Sequence, residues 1–351
     1  MQRLAREHAL RRVTLVSAGR CVAVHRQATQ LRLEGVEAIH RAVREAQYRH
    51  STDAVIFQPD GEAVENVAGS DVEALRDEPA AARAEHYGAV ARLIRDVGES
   101  SATTIALLAG RTSGWSAGLA LHSNFTVATE QTALSMPGPA EGRLAESFAL
   151  YHAARLPGAL GMYLALTGAA LSGPELRTLG LATHLTESQA LERVAGEVGT
   201  LHSMRDESVS RRLDEVSLEV ANSPRTSESD ALHYSAQIDA CFSAPSLTEI
   251  VSELERGASA WHGQVLAQLH ASSPLALHLT FALISRAAAA PDAQWPRLLL
   301  DEAAATAAFT GAPDAGVAAE ADGDGVPAWE HASVEEVSDD DVRRYLPDTS
   351  E

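Results

Sequence analysis

Residues 110–168 read GRTSGWSAGLALHSNFTVATEQTALSMPGPAEGRLAESFALYHAARLPGALGMYLALTG, and the fold follows from how this stretch and its flanks alternate. Gly110, Gly114 and Gly118 punctuate the opening nine residues, the mark of a tight turn. The apolar run 103–109, TTIALLA, reads as a buried strand leading into that turn. LALH at 119–122 follows as a helix and TVAT at 126–129 as a further strand. Strand, glycine-bearing turn, helix and strand in succession argue an α/β core. The turn lacks the Gly-Lys-Ser/Thr ending of a phosphate loop, so nucleoside triphosphates are not expected.

The alternation extends upstream. Residues 13–24 and 52–58 read as short strands rich in Val, Ile and Phe. Between them a helix at 31–49 carries Leu33, Val36, Ile39 and Val43 at three- or four-residue spacing. Another helix, at 79–97, leads into the strand at 103–109. Beyond Leu171 the pattern is helical, at 188–201, 246–254, 258–271, 275–288 and 297–308. Residues 204–229, rich in Ser, Arg and acidic side chains, read as an exposed connection, and 313–327 as a loop. The expected organisation is a basic segment at 1–12, a core at 13–198, a connecting segment at 199–235 and a helical segment at 236–351.

At 351 residues the chain exceeds the size of one simple core, so an appendage or a second domain is expected. No apolar run reaches the roughly 20 residues of a bilayer-spanning helix, and no membrane contact is expected. A formal charge of −20 repels polyphosphate backbones, which favours protein partners over nucleic acid. Residues 311–351 hold 12 acidic side chains against Arg343 and Arg344, a solvated acidic tail. Cys21 and Cys241 lie in apolar settings and read as buried thiols in a reducing compartment. The opening MQRLAREHALRRV, with Arg3, Arg6, Arg11 and Arg12, fits a mitochondrial presequence or an ordinary basic helix equally. No His-x-x-x-His or paired-Cys spacing suggests a metal site.

Laid without a gap on a known pattern, 110–168 keeps the framework of G-x-T-x-GGG-x-GLSVH, F-R-V-A-T-E, MPE-T and SRLPGKLGMYLALTG. Ala68 to Asp71 stand where the same pattern has A-G-G-D, and 181–184 match I-A-T-H. Residues 238–243 and 246–250 match I-x-x-C-F-S and S-x-x-E-I. Ser272, Ser273 and Pro274 match K-S-P, and Pro327 to Trp329 with 334–345 match the closing P-x-W and L-x-E-V-x-x-x-x-V-x-x-Y. In these motifs the chain resembles the 3-hydroxyisobutyryl-CoA hydrolases of the crotonase superfamily. The resemblance implies an α/β fold, a crotonase-like spiral of repeated ββα units followed by a helical C-terminal segment.

The resemblance also implies a site. Thioester hydrolysis places negative charge on the carbonyl oxygen, and two backbone amides bind it; here they fall on Ser70 and Trp115, with Ala68, Gly69 and Gly114 lining the vestige of a CoA pocket. The bulk of Trp115 either fills the acyl pocket or turns outward over a partner surface. The glutamate of MPE is Gly138, which carries no proton, a loss worth ~10²–10⁴ in rate. The aspartate of F-P-D-V-G-G-G is Glu146, followed by Phe148, Ala149 and Leu150 in place of the glycines. Residues 315–319 replace E-G-V-R-A with AGVAA, and 25–33 replace a loop that lies against the nucleotide. A hydratase is disfavoured because both of its glutamate positions, Gly118 and Gly138, are glycine.

Two other readings compete. Glu146 as sole carboxylate would leave an active acyl-CoA thioesterase. Gly114 to Gly118 also fit G-x-S-x-G, which makes Ser116 a serine-hydrolase nucleophile with His184, His202 or His270 as partner. His122 and His184 lie on apolar faces and read as core residues, and Asp71 as the cap of a helix starting at Val72. The favoured expectation is an inactive hydrolase-like structural subunit with CoA binding weak or lost and no other cofactor. By further resemblance to a hydrolase-like protein of the mitochondrial ribosomal small subunit, the expected setting is the mitochondrial matrix, among mitoribosomal proteins.

Overall fold

A computed structural model of the chain describes residues 13–18, 21–26, 30–48, 54–59, 69–145, 148–201, 205–217, 230–316 and 327–347; for 13–31, 59 and 230 it describes the backbone alone. The basic opening segment, the Cys21 side chain, Ala68, Glu146, His202 and part of the 199–235 connection lie outside the described residues.

The described strands are β1 (Val13–Ala18), β2 (Cys21–Arg26), β3 (Gln30–Leu31), β4 (Ala54–Pro59), β5 (Gly69–Ser70), β6 (Thr103–Leu107), β7 (Arg111–Thr112), β8 (Phe125–Thr129), β9 (Ala133–Leu134), β10 (Leu171–Ser172) and β11 (His184–Thr186). Six of them form one sheet in the order β1-β2-β4-β6-β8-β11. β1 and β2 are antiparallel, with Ala18 paired to Cys21; the other neighbours are parallel. The single strand expected at 13–24 is therefore a hairpin, because continuous apolar content hides a reversal of direction.

The repeat is visible in element order. β2 is followed by β3 and the helix Leu33–Tyr48, β4 by β5 and the helices Val72–Arg76 and Ala80–Gly98, and β6 by β7 and the helix Trp115–Leu121. The short strands pair among themselves in parallel, β3 with β5 and β7 with β9. This is the expected spiral of ββα units, and the helices beyond residue 230 are the expected helical segment.

The chain divides into two compact units: Met1–Ser70, Arg92–Leu134 and Leu171–Ser229 form one, and Asp71–Ala91, Ser135–Ala170 and Asp230–Glu351 the other. In the first, period-two alternation sends Ile56, Ile105, Leu107 and Val127 to one sheet face. The helix Leu191–Gly199 covers that face with Val194 and Val198, and the helix Asp206–Ser217 with Val209, Leu213 and Val216. The second helix corrects the expected exposed connection at 204–229. Its three apolar residues sit at helical spacing, and burying each contributes roughly 1.5–3 kcal/mol, enough to hold an otherwise polar segment.

The second unit is helical. The helix Leu160–Thr167 is buried along nearly all of its length. Its Tyr163 stands edge-on to Phe242, with ring centroids 5.2 Å apart, and tilted to Trp261 at 6.0 Å. Asp71 caps Val72–Arg76 as expected, its Oδ1 accepting the Ala74 amide at 3.2 Å. Cys241 is buried and free, and burial raises its thiol pKa. No described helix is long and apolar enough to cross a membrane.

Candidate functional site

In the first unit the two backbone positions named by the sequence come together. Ser70 ends β5 and is buried. Trp115 opens the helix Trp115–Leu121, directly after Gly114, and that helix lies against β5. First-turn amides project from a helix end, the geometry on which an oxyanion site depends. The Trp115 side chain is 0% exposed. The outward-turned alternative is therefore excluded, and the indole is buried.

The second unit holds the carboxylate positions. Gly138 has φ −47° and ψ −63° and begins a 3-10 turn over Pro139–Glu141. The turn closes tightly, since the amides of Glu141 and Arg143 both donate to the Gly138 carbonyl, at 3.0 and 2.9 Å. The chain doubles back, and a Cβ built on Gly138 would lie 2.3 Å from the carbonyl carbon and oxygen of Leu144 and 2.4 Å from the Ala145 nitrogen. Those are backbone atoms, which cannot swing away as a side-chain end can. The position is closed to every side chain, beyond having lost its carboxylate.

Glu146 lies outside the described residues, but its neighbour Phe148 does not. Phe148 has φ 50° and is fully buried. A left-handed backbone at a non-glycine residue costs roughly 1–3 kcal/mol and persists only where the surroundings impose it. Here the Phe148 amide donates to Oε1 of Glu302 at 2.6 Å, and Glu302 is itself 4% exposed. The left-handed backbone thus occurs where the hydrolase pattern has glycine, although the glycine is gone. Sequence reasoning missed Glu302. The signal was present in the helix Trp295–Phe309, where Leu299, Glu302, Thr306 and Phe309 share the buried face at three- and four-residue spacing.

His122 and His184 are largely buried and hydrogen-bonded, as expected of core residues. His122 donates from Nδ1 to the Gly118 carbonyl at 2.8 Å, and burial pushes its imidazole down to about 4. His184 pairs through Nδ1 with Thr183 at 2.9 Å and through Nε2 with Asp214 at 3.3 Å. Burial is the largest influence on its pKa and lowers it, with Asp214 opposing. Ser116 donates its hydroxyl to the Ser113 carbonyl at 2.7 Å within its own turn and is buried. The third partner considered for it, His270, is exposed. Among the described residues no group of three or more His, Cys, Asp or Glu is placed to hold a metal ion. The side chains of 25–31, expected against a nucleotide, lie outside the described set.

Comparison with known proteins gives the family and the fold. The profile of the enoyl-CoA hydratase/isomerase family matches residues 24–346. The chain is 34% identical over 184 residues to 3-hydroxyisobutyryl-CoA hydrolase 1 of Arabidopsis thaliana, covering 51% of this chain and 48% of that protein. It is 31% identical over 269 residues to the mitochondrial 3-hydroxyisobutyryl-CoA hydrolase of Danio rerio, covering 74% of this chain and 68% of that protein. With the Arabidopsis proteins the chain thus spans about half the length of the relative it matches. Among solved structures, a carnitinyl-CoA dehydratase from Mycobacterium thermoresistibile superposes with a TM-score of 0.83 at 21% identity, over 97% of both chains. That likeness shows the fold.

Proposed function

The chain belongs to the enoyl-CoA hydratase/isomerase family and is homologous to the 3-hydroxyisobutyryl-CoA hydrolases, and from that premise we propose that it keeps their framework without their chemistry and acts through binding to other proteins. The observation that carries this reading is the closed turn at Gly138, where any Cβ would meet the Leu144 and Ala145 backbone. The resemblance assigns that position the proton-handling glutamate, and the turn leaves no volume for one. Burial of Trp115 beside the oxyanion position adds to this, and CoA is proposed to bind no tighter than roughly 1 mM.

The partner is proposed to be protein, since a net charge of −20 disfavours broad contact with nucleic acid. The setting is proposed to be mitochondrial, on the strength of relatives whose names carry that word. A place in the mitochondrial ribosomal small subunit rests on resemblance alone and is the narrowest form of the proposal. Sedimentation of the native protein in cell extract tests it. Migration with a large particle, retained in salt that strips electrostatic RNA binders, is the expected result; migration at the mass of a monomer or small oligomer overturns it.

A second reading is favoured by the identity to hydrolases over most of the chain: Glu146 serves as the sole carboxylate of an acyl-CoA thioesterase. Thiol release from 3-hydroxyisobutyryl-CoA that disappears in Glu146→Gln and persists in Ser116→Ala establishes this reading. The reverse pattern establishes the serine hydrolase.

A further inference from the structure

The closed turn at 138–142 does not stand alone in its unit. Three other segments converge on it. The amide of Ser273, which starts the helix Pro274–Ala289, donates to the Pro139 carbonyl at 3.1 Å. The amide of Gly316 donates to the Gly142 carbonyl at 3.0 Å. Trp329, from the C-terminal segment 327–347, lies against Gly142 so closely that a Cβ there would be 3.0 Å from its ring and 2.5 Å from the Asp314 carbonyl oxygen. Gly142 has φ 61°, so its backbone also favours glycine.

One buried carboxylate joins the three. Asp314 is 1% exposed; its Oδ2 accepts the Ser273 hydroxyl at 2.5 Å and its Oδ1 the Glu330 amide at 2.7 Å. Ser273 Oγ in turn accepts the Ala276 amide at 3.0 Å, which caps the helix Pro274–Ala289. Trp329 is fixed at its other end, its Nε1 donating to the Ala271 carbonyl at 3.2 Å. Arg76 holds the far side of the 312–316 turn through the Ala315 carbonyl at 3.3 Å. A carboxylate so far from water is stabilised only by such donors, and removing one leaves the others strained.

We propose that the C-terminal segment is a latch: Trp329, held by its own bond to Ala271 and, through the neighbouring Glu330 amide, by Asp314, packs on Gly142 and holds the 138–142 turn in its closed form. Opening of the turn and release of the segment are then one event. This inference depends on the packing alone and stands whether or not the chain hydrolyses a thioester.

Hydrogen–deuterium exchange on the full chain tests it. Trp329→Ala is expected to speed exchange of the amides at 141–143 roughly tenfold or more, while the β6 amides keep their native rates. Arg343→Ala, on an exposed part of the same segment, should change neither. The latch also works in the opposite direction: Gly142→Ala, which pushes on Trp329 from the turn, should speed exchange at Trp329 and Glu330. Ser273→Ala gives a milder version of the first result should Trp329→Ala fold poorly. Unchanged exchange at 141–143 in Trp329→Ala and Ser273→Ala, or a rise shared equally by every amide of the unit, overturns the proposal.

Discussion

The two stations of the hydrolase pattern have fared differently. The first, at Ser70 and Trp115, depends on backbone amides, and the fold keeps β5 and the helix Trp115–Leu121 side by side although both glycines of the pattern have been replaced. The second depends on a side chain at residue 138, and there glycine stands in a turn where a Cβ would meet the Leu144 and Ala145 backbone. Amides set by the main chain keep their place when a side chain changes. A carboxylate carried by a side chain does not outlast its replacement by glycine.

The sharpest way to break this comparison is an attempted restoration. Gly138→Glu should restore no thiol release and should lower stability by about 1–3 kcal/mol, the usual cost of overpacking, read as a fall in the denaturant midpoint. Restored turnover with unchanged stability would show that the turn opens readily. The main-chain station is probed by its dependence on helix packing rather than on residue 138, so the same variant should leave calorimetric CoA binding unchanged from that of the native chain.

Acid titration provides a second test within the first unit. Burial depresses the His122 pKa from its ordinary 6.5 to about 4. The unfolded chain therefore binds the proton first, and the associated stability is fully present above about pH 6.5 and is lost as pH falls towards 4. The span corresponds to up to roughly 3 kcal/mol. Urea midpoints between pH 7 and 4.5 should fall steeply in the native chain and less steeply in His122→Asn; equal slopes would mean that His122 is not buried.

A smaller effect is expected at Glu302. Glu302→Gln keeps an acceptor for the Phe148 amide but weakens a charge-assisted bond, costing about 1–2 kcal/mol. Glu302→Ala, which leaves that amide without the carboxylate, should cost more. If both variants unfold at the native midpoint, the carboxylate is not what holds the left-handed backbone at Phe148.

Much of this was legible in the residues. The glycine-bearing turn between two apolar strands implied the α/β order, and the ordered motifs implied the spiral. The helix Asp206–Ser217 was hidden because its three apolar residues are diluted by charged ones, and only tertiary burial makes their spacing decisive. The β1–β2 hairpin was hidden because apolar content cannot register a change of chain direction. At the site, the absence of a carboxylate at Gly138 could be read directly. The closure of the turn could not, because it depends on where Leu144 and Ala145 return in space. Glu302 was obscured by sitting beside Asp301, where an acidic pair reads as solvated.

The most direct measurement is thiol release from 3-hydroxyisobutyryl-CoA by the purified protein. With the glutamate position closed, the expected rate is indistinguishable from spontaneous hydrolysis. A turnover within the ordinary enzymatic range of ~1–10³ s⁻¹ would contradict the closed-site account and leave Glu146 as the group to pursue.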